Sequence, residues 1–180
     1  NAELPRVYLA AYQLTGRETY ATIARETFAF LDREFRHDDG GFYSTLDARS
    51  EGDEGKFYVW TPEEVAAAID DERTAEIACD RFGVTDGGNF EGSTVLTIAA
   101  SIPDLAERYD CSESEIVDRL DEAREALFEA REERVRPARD EKILASWNGL
   151  AISSLARGGL VLGDDTYTDL AADALSFVRE

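Results

Sequence analysis

The sequence predicts a mainly α protein built from repeated αα-hairpins, and three observations favour this class. Apolar residues recur at helical spacing along most of the 180 residues. Residues 1–33 match residues 148–180 without a gap. The segment 143–162 is apolar or small on nearly every side, which is typical of a buried helix. A β-ribbon near 41–61 interrupts the helical pattern and is predicted as an insertion between hairpins.

The internal match relates two helix–glycine–helix segments. Gly16 coincides with Gly163, and glycine is the usual left-handed residue at the end of a helix. We therefore predict repeated αα-hairpins at 1–36 and 143–180. Such repeats form either an open solenoid or a closed α/α toroid. The apolar helix in the second hairpin favours the toroid, because the inner helices of a toroid are covered on every side.

Helix start signals predict further helices between the two hairpins. Thr61 followed by Glu64, and Ser112 followed by Glu115, have the spacing of a capping box. These helices are predicted at about 62–69, 72–82, 102–109 and 113–134. The chain, 1–180, is predicted as one domain. Because both of its ends lie inside helical patterns, we expect it to be a fragment of a larger toroid.

The predicted β-ribbon insertion at 37–61 carries most of the chemistry-bearing side chains. Its strands are predicted at 42–46 and 56–61, where aromatic and β-branched residues are dense. A two-stranded ribbon is not stable alone in water, so we expect it to lie on a helical surface. Asp53 and Glu54, in the loop between the strands, suit a solvated acidic loop as well as they suit a site.

The charge of the chain excludes several classes of partner. The formal net charge is −20 and the pI is about 4.3, so we expect no nucleic acid partner, because the phosphate backbone requires a basic surface. No apolar run is long enough to span a bilayer and no signal peptide is visible, so we expect no membrane partner and a cytoplasmic location. The spacing of Cys79 and Cys111 favours two reduced thiols over a disulfide or a metal site.

Lysine is scarce in this chain. Nineteen basic residues are present, and only Lys56 and Lys142 are lysines. An acidic surface with few lysines suggests adaptation to high salt, where a dense carboxylate shell keeps the protein hydrated. Both lysines lie in motif-like stretches, where a compact ammonium group could be required in place of a planar guanidinium. Since there are only two lysines, their position in these stretches could also arise by chance.

Four separated segments resemble the YyaL-type thioredoxin-domain-containing proteins, which are related to spermatogenesis-associated protein. The segments are Gly-Gly-Phe-Tyr-Ser at 40–44, and then 47–60, 89–92 and 140–150, in the family's order. The resemblance implies a thioredoxin-like domain followed by an (α/α)6 toroid similar to the six-hairpin glycosidases and N-acylglucosamine 2-epimerase. This chain resembles the first part of that toroid, so the thioredoxin-like domain of the same longer chain is its expected partner.

Two positions depart from the family pattern. Arg49 stands where the family usually has an acid, and Glu141 replaces an expected aspartate. Arg49 weakens the hypothesis of an acidic metal-binding cluster. The spacing of the four acids in question also does not match a calcium-binding EF-hand loop; they are Asp47, Glu51, Asp53 and Glu54. We therefore expect neither a metal nor a cofactor.

The residues in these segments are the types that bind sugars. Toroids present a cavity at one end, aromatic rings stack on sugar rings, and hydrolysis needs two carboxyl groups. The predicted substrate-binding residues are Tyr43, Lys56, Tyr58, Trp60, Lys142, Trp147 and Asn148. The predicted catalytic residues are Asp47, Glu51 and Asp140. We expect carbohydrate binding or processing, and a glycoside hydrolase-like or sugar epimerase-like reaction if the domain is an enzyme.

Several of these residues have a plainer interpretation. Trp147 suits core packing equally well, and Asp140 suits the start of a helix, where the helix dipole favours an acid. An epimerase would use histidine as its base, but His37, the only histidine, is more typical of a loop. The alternative function is a non-catalytic interaction module that serves the thioredoxin-like domain. Mutual neutralisation of the predicted carboxylates and lysines in buried pairs would favour it.

Overall fold

The computed structural model describes residues 1–179, and this part of the chain is mainly helical, as predicted. The helices are α1 (Leu4–Thr15), α2 (Glu18–Phe35), α3 (Pro62–Ala68), α4 (Glu72–Phe82), α5 (Ile102–Arg108), α6 (Glu113–Glu132), α7 (Ala145–Leu162) and α8 (Asp165–Arg179). The strands are β1 (Thr45–Leu46), β2 (Arg49–Ser50), β3 (Asp53–Glu54), β4 (Val59–Trp60), β5 (Thr94–Val95) and β6 (Arg139–Asp140). None of the described helices is long and apolar enough to cross a membrane.

Backbone contacts divide the chain into two compact units, whereas the sequence predicts one domain. Unit 1 comprises 1–46 together with the chain from Arg139 onward, and it contains α1, α2, α7, α8 and the β1–β6 pair. Unit 2 comprises Asp47–Ala138 and contains the remaining helices and strands.

Unit 1 contains the two αα-hairpins that the internal repeat predicts. The turns end at Gly16 and Gly163, both with a φ angle of 67°, and each donates its backbone N–H to the carbonyl four residues earlier. The left-handed conformation explains why glycine occupies both positions. Helix α7 packs against α1 and α2 as well as against α8. The most deeply buried core side chains are Leu9, Ala24, Phe28, Leu155 and Ala174.

Small residues on α7 allow its close packing in unit 1. A Cβ atom at Gly158 would lie 2.5 Å from Cε2 of Phe28, and one at Gly159 would lie 2.2 Å from Oγ1 of Thr168. Real side chains do not approach so closely, so neither position can hold a larger residue without movement. Packing therefore requires a small residue at Gly158 and at Gly159.

Unit 2 is a cluster of four helices with two small strand pairs. Helix α6 packs against α3, α4 and α5. The predicted capping box between Thr61 and Glu64 is present at the start of α3, and Ser112 accepts the backbone N–H of Glu115 at the start of α6. Two apolar cores form around α6, and their fully buried members are Val65, Ala78, Ala123, Ile77, Leu105 and Ile116.

The prediction of one β-ribbon over 41–61 is wrong in its pairing. Thr45 pairs with Asp140, and Val59 pairs with Val95, so the two predicted strands do not pair with each other. Between them, β2 and β3 form a tight hairpin whose two turn residues, Glu51 and Gly52, have φ angles of 55° and 94°. Strands of two residues carry too little pattern to specify a partner, and these partners lie far away in sequence.

Candidate functional site

The structure divides the ten predicted site residues equally between the two units. Unit 1 contains Tyr43, Asp140, Lys142, Trp147 and Asn148. Unit 2 contains Asp47, Glu51, Lys56, Tyr58 and Trp60. We describe each group by itself.

Unit 1 contains a cavity of about 300 Å³ whose wall includes four aromatic residues. Tyr43 and Trp147 both line it, with Phe35 and Phe42 deeper in the wall. Trp147 lies in the first turn of α7 and is 50% exposed, so it does not belong to the core. An exposed indole beside a concave surface can stack on a flat or ring-shaped ligand.

Asn148 lies beside Trp147 but is only 1% exposed. Its Oδ1 accepts the backbone N–H of Phe42 at 2.8 Å, and its Nδ2 donates to the Phe42 carbonyl at 2.9 Å. Nδ2 also donates to the Leu144 carbonyl at 3.2 Å. The Asn148 amide thus satisfies both backbone groups of Phe42, as the backbone of a paired strand would. Asn148 holds in place the segment that carries Tyr43, and its polar atoms face the backbone.

Tyr43 is held by cationic and aromatic neighbours. The guanidinium carbon of Arg139 lies 4.1 Å from the centre of the Tyr43 ring, and the His37 ring meets it edge-on at 5.3 Å. Arg139 is fixed in turn by donating to the Glu34 carbonyl at 3.2 Å and to Glu141 at 3.2 Å. One face of Tyr43 is therefore covered, and His37 serves as a loop residue whose Nδ1 accepts the backbone N–H of Asp39.

Asp140 and Lys142 form an ion pair, and neither residue lines the cavity. Nζ of Lys142 donates to Oδ2 of Asp140 at 2.9 Å, and the Lys142 backbone N–H donates to Oδ1 at 3.2 Å. These two bonds hold the pKa of Asp140 below its usual value. Ser44, which lines the cavity, donates its hydroxyl to the Asp140 carbonyl at 3.0 Å. Asp140 lies in β6, and α7 has no acid in its first turn, so Asp140 is not a helix-start residue.

In unit 2, Lys56 pairs with Glu51 at 3.0 Å and with Asp53 at 3.8 Å. The hydrogen bond and charge of Glu51 raise the pKa of Lys56, so the amine stays protonated at neutral pH. All three side chains are well exposed, at 47% for Lys56 and Glu51 and 73% for Asp53. The pairs therefore exist, but they are not buried, and exposed pairs contribute little to stability.

Trp60 is a buried core residue that packs against an arginine. It is 3% exposed, and the guanidinium carbon of Arg134 lies 4.1 Å from the centre of the ring. Arg134 also donates to the carbonyls of Val59 at 2.7 Å and Phe57 at 3.2 Å. Burial lowers the pKa of Arg134. Arg134 thus fastens the segment that contains Trp60, which leaves the indole little surface for a ligand.

The other two unit 2 residues lie at the surface. Oδ1 of Asp47 accepts the Arg49 backbone N–H at 2.9 Å, which stabilises the turn before β2. Tyr58 is 37% exposed and packs edge-on against Phe57. Within residues 1–179, no three histidine, cysteine or acidic side chains are arranged to hold a metal ion.

Sequence reasoning missed the two arginines that organise these environments. Arg139 lies in 135–139, which the sequence suggests is only a linker, and Arg134 directly precedes this segment. Each guanidinium stacks on an aromatic ring and donates to backbone carbonyls, a combination that arginine favours over lysine. The available signal was the dense run of arginines there, together with the cluster of aromatic residues in 42–60.

The chain is thus mainly helical, and unit 1 contains a cavity that is large enough for a small ligand and has aromatic residues in its wall. Over 99% of its length, the chain is 33% identical to human spermatogenesis-associated protein 20, 31% identical to the mouse protein of that name and 30% identical to the rat protein. It spans about a quarter of the length of these relatives, 26% in each case. These relatives fit the family that the four segments suggest. No family model matches the chain.

Proposed function

We propose that this chain is the first part of the α/α toroid of a thioredoxin-domain-containing protein, and that unit 1 binds a small carbohydrate. The proposal of family rests on the relatives named spermatogenesis-associated protein 20 and on the resemblance of the four segments. The proposal of function rests on one observation, the exposed Trp147 indole beside Tyr43 in the unit 1 cavity.

The chemistry of the cavity suits a sugar. Sugar rings have an apolar face that packs on an aromatic side chain, and the hydroxyl groups around the ring require donors and acceptors. Trp147 offers the apolar surface, and the Asp140–Lys142 pair offers an acceptor and a donor next to Ser44. The volume of about 300 Å³ lies at the lower end of ligand sites, which favours a monosaccharide-sized ligand.

Binding is better supported than hydrolysis. Glycoside hydrolysis needs one protonated carboxyl group as the acid and a second carboxylate. Of the three predicted catalytic carboxylates, unit 1 contains Asp140, and its lowered pKa favours the ionised form. Asp140 therefore suits a base or a hydrogen-bond acceptor. Asp47 and Glu51 remain proposed catalytic residues in unit 2.

The toroid is supported by the repeated hairpins and by exposed apolar side chains on them. Leu4, Val7 and Leu14 on α1 are 48%, 66% and 86% exposed, and Leu160 on α7 is 86% exposed. In a toroid, further hairpins would cover such residues. We expect the 180-residue chain by itself to self-associate in sedimentation analysis. A well-behaved monomer that unfolds cooperatively would contradict the toroid.

The carbohydrate proposal is tested by ligand-induced thermal shifts in high salt. A sugar or sugar phosphate that binds the folded state raises the Tm, and Trp147→Ala should abolish the shift while Leu160→Ala leaves it intact. Leu160 is a matched control because it is exposed on the same helix but does not line the cavity. No shift with any sugar, or an equal shift in both variants, would reject carbohydrate binding in this cavity.

The second candidate is a non-catalytic interaction module for the thioredoxin-like domain. Glu51 pairs with Lys56 and Asp140 pairs with Lys142, as this candidate requires, but both pairs are exposed, so they support it less than buried pairs would. Mixing the chain with the separate thioredoxin-like domain would then produce a complex in sedimentation analysis. Absence of a complex at concentrations well above those in cells would count against this candidate.

A further inference from the structure

Unit 2 contains a second cleft that the carbohydrate proposal does not use. It lies along α6 and has a volume of about 570 Å³, within the range of small-molecule sites. Trp60, Leu96 and Leu127 contribute buried or half-buried apolar surface to it. Ile98 and Phe128 line it while 67% and 36% exposed. We call this feature, defined by these five residues, the α6 cleft.

Arg131 also lines the α6 cleft and carries an incompletely compensated charge. Its side chain is 25% exposed, and its guanidinium carbon lies 5.1 Å from the Phe128 ring centre and 5.4 Å from that of Phe57. Oε1 of Glu132 is 3.6 Å from Nη2 of Arg131, too long for a good hydrogen bond. Glu132 bonds closely to Arg136 through its other oxygen.

The Nε atom of Arg131 is buried and has no hydrogen-bond partner within residues 1–179. A buried donor without a partner is unfavourable, and such groups in native proteins call for an explanation. Oε1 of Glu132 is likewise buried without a hydrogen-bond partner in this part of the chain, so this pair leaves the Arg131 guanidinium poorly neutralised, and a ligand carboxylate can pair with its exposed quarter. Arginine binds carboxylates through two parallel hydrogen bonds. Glu132 pairs mainly with Arg136, so its negative charge only partly compensates Arg131, and a ligand carboxylate would supply the missing negative charge.

We propose that the α6 cleft binds a small monocarboxylate with an apolar body. The carboxylate pairs with Arg131, and the apolar body covers Ile98 and Phe128. Asp121 and Glu125 also line the cleft, and within the described residues only Asp121 of these two forms an ion pair, with Arg124 at 3.8 Å, so the carboxylate of Glu125 disfavours a second negative charge. The site should therefore prefer monocarboxylates to dicarboxylates. This inference is independent of the carbohydrate site in unit 1.

The test uses the whole chain and 4-phenylbutyrate as the probe. Titration should shift the NMR signals of Ile98 and Phe128, and calorimetry should show binding that weakens about tenfold when the uncharged amide, 4-phenylbutyramide, replaces the acid. Phenylsuccinate, a dicarboxylate, should also bind more weakly. Arg131→Gln should reduce affinity for 4-phenylbutyrate about tenfold. Arg49→Gln, which makes the same change in charge at an exposed position of unit 2, should not alter it.

Three results would overturn the proposal. The first is the absence of signal changes at Ile98 and Phe128 at millimolar probe concentrations. The second is equal affinity for the acid and the amide, which would show an apolar cleft without an anion site. The third is unchanged affinity in the Arg131 variant. If that variant does not fold, the affinities of the native chain for 4-phenylbutyrate and 4-phenylbutyramide still decide whether the cleft binds an anion.

Discussion

The amide of Asn148 is expected to be among the most important single polar groups in unit 1. Asn148→Ala removes the bonds at 2.8 and 2.9 Å to the backbone of Phe42, which is 5% exposed. A buried N–H and a buried carbonyl are then left without partners, and each costs about 1–3 kcal/mol. We expect a loss of about 3 kcal/mol, a large part of a typical stability of about 5–15 kcal/mol. The lost bond to the Leu144 carbonyl adds little, because that carbonyl keeps its helical partner.

Urea unfolding followed by circular dichroism measures this loss, with Asn89→Ala as the matched control. Asn89 makes the same pair of bonds to the backbone of Val95, at 2.8 and 3.0 Å, but both residues are exposed. Water can replace those bonds, so the control should lose less than about 1 kcal/mol. Equal losses in the two variants, or a loss under about 1 kcal/mol in the Asn148 variant, would refute this reasoning.

Asn148→Asp adds a pH test of the same contact. A carboxylate there would face the Phe42 carbonyl in a buried position, so its pKa in the folded state would be raised. Relative to the native chain, the variant should lose least stability below about pH 4, near the pKa of an unfolded aspartate, and the loss should grow as the pH rises toward the folded pKa. A variant with a wild-type pH profile would show that the amide does not make these bonds in solution.

Three further predictions concern packing, acid stability and salt. Gly158→Ala should destabilise unit 1 by about 1–3 kcal/mol because the new Cβ meets Phe28, whereas Gly149→Ala, with nothing within 4 Å, should stabilise α7 by about 0.5–1 kcal/mol in urea unfolding. Bonds from the Thr74 hydroxyl and backbone lower the pKa of Asp71, so its contribution is complete above about pH 4 and is lost in acid as the pH falls through the folded pKa. Asp71→Asn should therefore flatten the acid side of the stability profile. Finally, molar salt should raise the Tm by screening the net charge of −20.

Each of these has a clear contrary outcome. Equal effects of alanine at Gly158 and Gly149 would show that α7 does not approach α2 as closely as the structure places it. An unchanged acid profile in the Asp71 variant would remove the Thr74 contact from the explanation of acid stability. A Tm that is constant or falls between low and molar salt would contradict adaptation to high salt.

The helical hairpins were predictable because their signals are local and repeated. The glycines at 16 and 163, and the Thr61 capping box, act within one or two turns of chain. The strand pairing was not predictable in the same way. Thr45 and Asp140 lie far apart in sequence, and aromatic composition does not specify which short segment pairs with which.

The sequence allowed two residues of the candidate cavity to be predicted together, and their binding role stays a prediction. Sequence placed Tyr43 and Trp147 among binding residues, and the structure brings them to one cavity. The sequence predicts a ligand-binding amide at Asn148, and only the fold shows that its atoms bond to the Phe42 backbone. Arg139 was overlooked because stacking on Tyr43 requires knowledge of the β1–β6 pair.

The most direct test of carbohydrate binding in unit 1 is the fluorescence of Trp147. The chain has two tryptophans, so Trp60→Phe leaves Trp147 as the single reporter of the cavity. Addition of a bound sugar should shift the emission of the half-exposed indole to shorter wavelength in a saturable manner, since the ligand replaces water on its surface. An emission spectrum that no sugar or sugar phosphate alters would contradict carbohydrate binding at this site.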